Sequence, residues 1–196
     1  MNWVKRLVIV TVMTGLVSAC AVSPKTDEAT LTASEAEQQK VQARLLEEFR
    51  AAVTSMEEGN VEEATERFEQ LAKQHPGHTG PLANLGILAL GAGNPDLASK
   101  YFSAVLDLDP SHTVALNHLG VLARTAGEFE QAERFYRRAL EADPAYLPAI
   151  LNLAFLLDIY LGRPDEALSL YEQYQTLASD PNPRLEDWIF DAKNRI

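Results

Sequence analysis

One cysteine, Cys20, stands in 196 residues, so no disulfide can form within the chain. Basic residues are also scarce: 17 against 28 acids, a net charge of −11. Removing the first 19 residues would take Lys5 and Arg6 and leave 15 bases against 28 acids, a net −13. That balance argues against nucleic acid and against a basic membrane-surface patch. It reads instead as a solvated helical surface that keeps the protein soluble. The apolar run Leu7–Val17 has eleven residues, short of the roughly 20 a helix needs to span a bilayer. Motifs that carry chemistry are missing as well. There is no Gly-x-Ser-x-Gly, no His-Glu-x-x-His and no phosphate-cradling glycine loop. The histidines are His75, His78, His112 and His118. His75-x-x-His78 flanks Pro76-Gly77 in a turn, where a metal would need further ligands, and His112 takes the equivalent turn one unit on. No pair of carboxylates is set apart for acid–base work. The expectation is a protein with no catalytic residue, no cofactor and no metal.

A 34-residue unit, by contrast, is written twice between Thr79 and Tyr146. Leu82-x-x-Leu85-Gly86 becomes Leu116-x-x-Leu119-Gly120, Gly93 becomes Gly127, and Ala98 becomes Ala132. Phe102 becomes Tyr136, Leu106 becomes Leu140, and Asp109-Pro110 becomes Asp143-Pro144. Each copy reads as two helices. Leu82, Leu85, Leu88 and Ala89 give helical spacing to Pro81–Gly91, and Gly93-Asn94-Pro95 breaks it, with Pro95 suited to the first position of the next helix. Leu97, Ala98, Tyr101, Phe102, Val105 and Leu106 share one face of that second helix. Gly86 and Ala98 permit close approach of the two helices, and Phe102 fills the gap to the next pair. This pattern resembles the tetratricopeptide repeat (TPR) family. The resemblance implies an all-α fold, an α-solenoid of about four helix pairs, whose units bury their apolar faces by stacking.

In chain order, Ser34-x-x-Glu37 reads as a capping box opening a helix over about Glu35–Glu58, with Val41, Leu45, Phe49, Ala52, Val53 and Met56 on one face. Gly59, Ala64, Phe68, Leu71, Ala72 and Pro76 follow at the repeat's spacings. The repeats are set at about 45–78, 79–112, 113–146 and 147–181, within a domain spanning 34–182. The first lacks the Leu-Gly pair and carries Ala51-Ala52 there. In the fourth, Leu153-Ala154 replaces Leu-Gly, and Gly162-x-Pro164-Asp165-x-Ala167 arrives one residue late, so the helix Ala149–Leu161 holds one extra residue. Asn182-Pro183 should cap a final helix over 183–196, with Leu185, Trp188, Ile189 and Ala192 turned onto the last repeat as a lid.

Met1–Arg6 and Leu7–Val17 fit the n- and h-regions of a secretory signal over 1–19. Val17-Ser18-Ala19-Cys20 then resembles the lipobox of bacterial lipoproteins. The resemblance implies cleavage before Cys20 and its lipidation, with a flexible tether over 20–33. Ala21, where inner-membrane retention would have Asp, implies the outer membrane of a Gram-negative cell, facing the periplasm. Several acyl chains would anchor it stably, at about 0.8 kcal/mol per buried CH₂.

By the same family resemblance, ligands lie against the first helices. Three columns follow at 34-residue spacing: Val53, Ile87, Val121, Phe155; Phe49, Ala83, Asn117, Leu151; and Met56, Leu90, Arg124, Asp158. The first is apolar throughout. It predicts an amphipathic or apolar peptide in a groove, with Asn117, Arg124 and Asp158 supplying polar contacts. Three alternatives stand: an outside peptide, filling by the protein's own N-terminal helix or a twin subunit in a homodimer, or a column that is plain core. The layout resembles small Gram-negative TPR lipoproteins, which implies an adaptor between envelope proteins. Leu151-Asn152-Leu153-Ala154 through Gly162, with Trp188-Ile189, resembles TPR components of TonB energy-transduction systems. Other readings are a pilotin or assembly factor for type IV pili or secretion channels, an adaptor for peptidoglycan enzymes, and an enzyme within a TPR-like shell.

Overall fold

The computed structural model describes residues 33–196. The signal segment, Cys20 and the tether lie outside the described residues, except Ala33, which is already helical. Gln39–Ile196 forms one compact unit; of the other, Met1–Gln38, the described residues 33–38 are all helical. Ser34 therefore lies inside the first helix and does not cap it.

The described chain is helical throughout: α1 Ala33–Glu57, α2 Val61–Gln74, α3 Thr79–Gly91, α4 Pro95–Leu108, α5 Thr113–Thr125 and α6 Phe129–Ala142. α7 Leu147–Phe155 continues into a π-helical segment Leu156–Tyr160, followed by α8 Pro164–Leu177 and α9 Leu185–Lys193. α3 packs on α4, α5 on α6, and α7 on α8, and each second helix packs on the first helix of the next pair.

The turn inside each pair repeats one device. Gly59, Gly93, Gly127 and Gly162 all take positive φ, between 62° and 82°, a region costly for side chains with a Cβ. One residue on, the N–H of Asn60, Asn94 and Glu128 donates to the carbonyl five residues back, at Ser55, Ala89 and Ala123, which closes the helix end. In the fourth pair the matching bond runs from Arg163 to Leu157, six back. The late Gly162 and the π-helical segment are one fact. The extra residue is taken up as a wider turn, and the partner helix keeps its place.

Turns between pairs also repeat. Asp109 Oδ1 accepts from Ser111 N at 3.0 Å, and Asp143 Oδ1 from Ala145 N at 2.9 Å. Arg138 and Gln173, one unit apart, each donate to a turn-proline carbonyl, Pro110 at 2.9 Å and Pro144 at 3.0 Å.

The core is a ladder of rings against small residues. Phe68, Phe102, Tyr136 and Tyr171 are fully buried. They face the small-residue positions of the first helices: a Cβ on Gly86 would stand 2.7 Å from the Phe102 ring, and one on Gly120 2.4 Å from Tyr136. Phe102 therefore fills its own pair first. Its outer face reaches the next pair by stacking on His118, centroids 4.9 Å apart and planes at 7°. Phe49 meets Phe68 edge to face at 5.6 Å. Val41, expected on the inner face of α1, is 54% exposed.

α9 is shorter than expected. Pro183 is not its first residue; Asn182 instead accepts from Arg184 N at 3.0 Å in the turn before it. Leu185 and Ala192 are buried, and Trp188 meets Phe155 edge to face at 4.6 Å.

Candidate interaction surfaces

The column Val53, Ile87, Val121, Phe155 rises on α1, α3, α5 and α7. All four residues pack against buried clusters and all four stay partly exposed. They are neither plain core nor free surface. Phe49, Met56, Leu90 and Leu151 share that half-buried state, while Ala83 is buried. Phe155 differs from the rest of its column in being covered by Trp188 of α9. One end of the apolar column is thus closed by the C-terminal helix.

Two of the expected polar contacts, Asn117 and Asp158, are engaged inside the fold, and this corrects the sequence reading for them. Asn117 is 4% exposed and accepts from Asn152 Nδ2 at 3.0 Å, tying α5 to α7. Asp158 is 8% exposed. Its Oδ2 accepts from the Tyr171 hydroxyl at 3.2 Å, and its Oδ1 lies 2.6 Å from an Arg195 nitrogen. Burial, then the Asp158 carboxylate, pushes the Tyr171 phenol far above its usual range. Arg124 is half-buried beside the Tyr136 hydroxyl, where its charge offsets part of the rise that burial imposes on that phenol.

A rule internal to the chain explains Arg124 and Asp158. Where the ladder ring is Phe, at 68 and 102, the matching column residue is Met56 or Leu90. Where the ring is Tyr, at 136 and 171, the matching residue is Arg124 or Asp158. A buried phenyl needs no polar partner; the Tyr171 phenol has one in Asp158, whereas among the described residues the Tyr136 hydroxyl makes no hydrogen bond and only stands near the Arg124 charge. The Phe-to-Tyr change was visible in the sequence and is the signal that would have assigned Asp158 inward. Arg195 and Asn152 carried no such signal.

A second surface was missed altogether. Across α6 and α8, Glu133, Arg137, Arg163 and Glu166 form an ion network. Arg163 reaches Glu133 at 2.9 Å and also pairs with Glu166, while Arg137 reaches Glu133 at 2.6 Å and Glu166 at 3.1 Å. Across α4 and α6, one unit earlier, a cavity of about 510 Å³ lies open instead. Among the described residues no group of His, Cys, Asp and Glu is arranged to hold a metal. No described helix is long and apolar enough to cross a membrane.

Residues 83–146 match the profile of the Tetratricopeptide repeat family, and residues 48–78 match a second Tetratricopeptide repeat profile. The chain belongs to the tetratricopeptide repeat family. The fourth TPR unit, the one with the π-helical turn, falls outside both matched ranges. No curated protein matches the chain. Its fold is similar to the crystal structure of MamA, at TM-score 0.62 and 21% identity over 77% of this chain and 81% of that one. It is also similar to PilF of Pseudomonas aeruginosa, at TM-score 0.69 and 18% identity over 79% and 69%. A thermophilic TPR protein of Thermus thermophilus gives 0.61 and 20% over 76% and 81%. At these identities the likeness is one of fold. TPR stacks are interaction scaffolds, since stacking leaves an extended face along the first helices.

Proposed function

We propose that this TPR protein is a lipid-anchored adaptor on the periplasmic side of the outer membrane, catalysing nothing and joining envelope proteins through its first-helix face. The observation that carries the binding part is the column Val53, Ile87, Val121: three apolar side chains on successive first helices, packed from behind and partly open in front. An amphipathic segment with side chains spaced along one face suits such a column. The lipobox-like Val17–Cys20 supports the anchoring part. The system served is proposed to be TonB-type energy transduction, on the resemblance in Leu151–Gly162 and Trp188-Ile189.

Cell fractionation of wild type and Cys20→Ser, with mass spectrometry of the N-terminal peptide, tests the anchor. A multiply acylated cysteine in outer-membrane fractions, lost in the variant, is expected; an unmodified cysteine removes this part. For the system, deletion of the gene should reduce TonB-dependent uptake, and unchanged uptake removes that assignment. The fold likeness to PilF favours a second reading, an assembly factor for type IV pili or secretion channels. Normal pilus and channel multimers in the deletion strain would remove it.

A further inference from the structure

Among the described residues, three side-chain atoms are buried with no hydrogen bond: Arg124 Nε, the Tyr136 hydroxyl and Asp158 Oδ1. Asp158 Oδ1 still faces a counter-charge, because an Arg195 nitrogen stands 2.6 Å away. The other two atoms stand near each other and face none. Tyr136 is fully buried on α6, and Arg124 is half-buried on α5 beside its hydroxyl. Arg124 is in no ion pair among the described residues. Asp158, its neighbour in the column, is already held by Tyr171 and Arg195.

What this pair lacks is an acceptor. A guanidinium has donors only, and the phenol proton is a further donor. The phenol oxygen could accept from Arg124, but the two are not aligned to bond. The pair carries one positive charge, so an anionic acceptor suits it best, and a carboxylate can take Nε–H and a terminal N–H together as a fork. The other units have no such gap. In the first two the ring is Phe68 or Phe102 and the column residue is Met56 or Leu90; in the fourth the phenol has Asp158. Arg124 lies one turn after Val121 on the same helix, so the gap borders the open part of the apolar column.

We propose that Arg124 and Tyr136 form a carboxylate site in the first-helix groove, taking an aspartate or glutamate side chain of the partner whose apolar side chains cover Val53, Ile87 and Val121. This rests on the groove reading above and adds the partner's charge beside Val121. The chain's own net charge of −11 repels acidic segments in general, so a local cation is what selects one.

The direct test is NMR on the labelled full chain, with 4-methylpentanoate as probe and its amide as control. Saturable shifts at the Arg124 Nε–H and the Val121 methyls are expected with the acid, and binding about tenfold weaker with the amide. Arg124→Leu should weaken the acid about tenfold and Tyr136→Phe about threefold. Both variants write in the side chains that Leu90 and Phe102 already supply one unit earlier, so the fold accommodates them. No saturable shift, as when water alone satisfies the two donors, would overturn the site. So would equal binding of acid and amide, or acid binding unchanged in Arg124→Leu. In cells, the crosslinked adduct formed from position 121 should fall in Arg124→Leu. An undiminished adduct would overturn the site and leave the groove reading standing, whereas no adduct in either background would remove the groove reading and this site with it.

Discussion

Gly120 faces the Tyr136 ring at a distance that leaves no room for a methyl group, and Gly86 faces Phe102 in the same way. Both rings are fully buried, so neither can swing aside into solvent. Gly120→Ala should therefore destabilise the protein by about 1–3 kcal/mol as overpacking, despite alanine's better helix propensity. A denaturant midpoint equal to or above that of wild type would contradict the close approach. His118 offers a test by pH. Burial against Phe102 lowers its pKa below the usual value. A depressed histidine contributes stability above its unfolded value of about 6.5, and that stability is lost as pH falls toward the folded value. NMR titration should place His118 below 6.5, and His118→Gln should flatten the loss of stability just under pH 6.5. An unshifted titration would mean the imidazole is not enclosed by the stack.

The π-helical segment shows how an element absorbs an insertion. One extra residue in the fourth unit would, in an ordinary helix, turn every following side chain by about 100°. A single wide turn confines the change to Leu156–Tyr160 and lets Gly162 and Pro164 resume the pattern. The insertion was legible in the sequence, because the glycine and proline landmarks arrive late; its absorption as a π turn was not, since periodicity counts residues and does not fix the hydrogen bonds. Asp158 lies within this turn, inside the fold against Tyr171 and Arg195. Column spacing alone had placed it in the groove, since spacing gives the helix face and not the burial at that face. Arg195→Ala leaves the buried carboxylate short of a partner and should cost about 1–3 kcal/mol. Amides of α9 should exchange faster and Trp188 emission should shift to the red. Unchanged exchange in α9 would mean Arg195 does not fasten the C-terminal helix.

As a whole, residues 39–196 form a line of neighbours in which each helix pair is stabilised mainly by the next. Stability should thus vary along the chain. Truncation after Ser179 removes α9 and uncovers Phe155 and Tyr171. Hydrogen exchange should then rise in α7 and α8 and stay near wild type in α3 and α4, whereas an even rise across all helices would contradict a nearest-neighbour stack. The two middle units were plain in the sequence because glycine, alanine and the ring must recur where helices meet. The cleft between α4 and α6 was not, because residue spacing gives the face of each helix and not the space left between helices that pack through a third. The open part of the first-helix column is expected to receive a partner. Photocrosslinking in living cells tests it most directly, with the reactive group at Val121 and a control at the exposed Glu141 on α6. A discrete adduct with one envelope protein from Val121 alone is the predicted result. A dimer-sized adduct, or none from Val121, would contradict it.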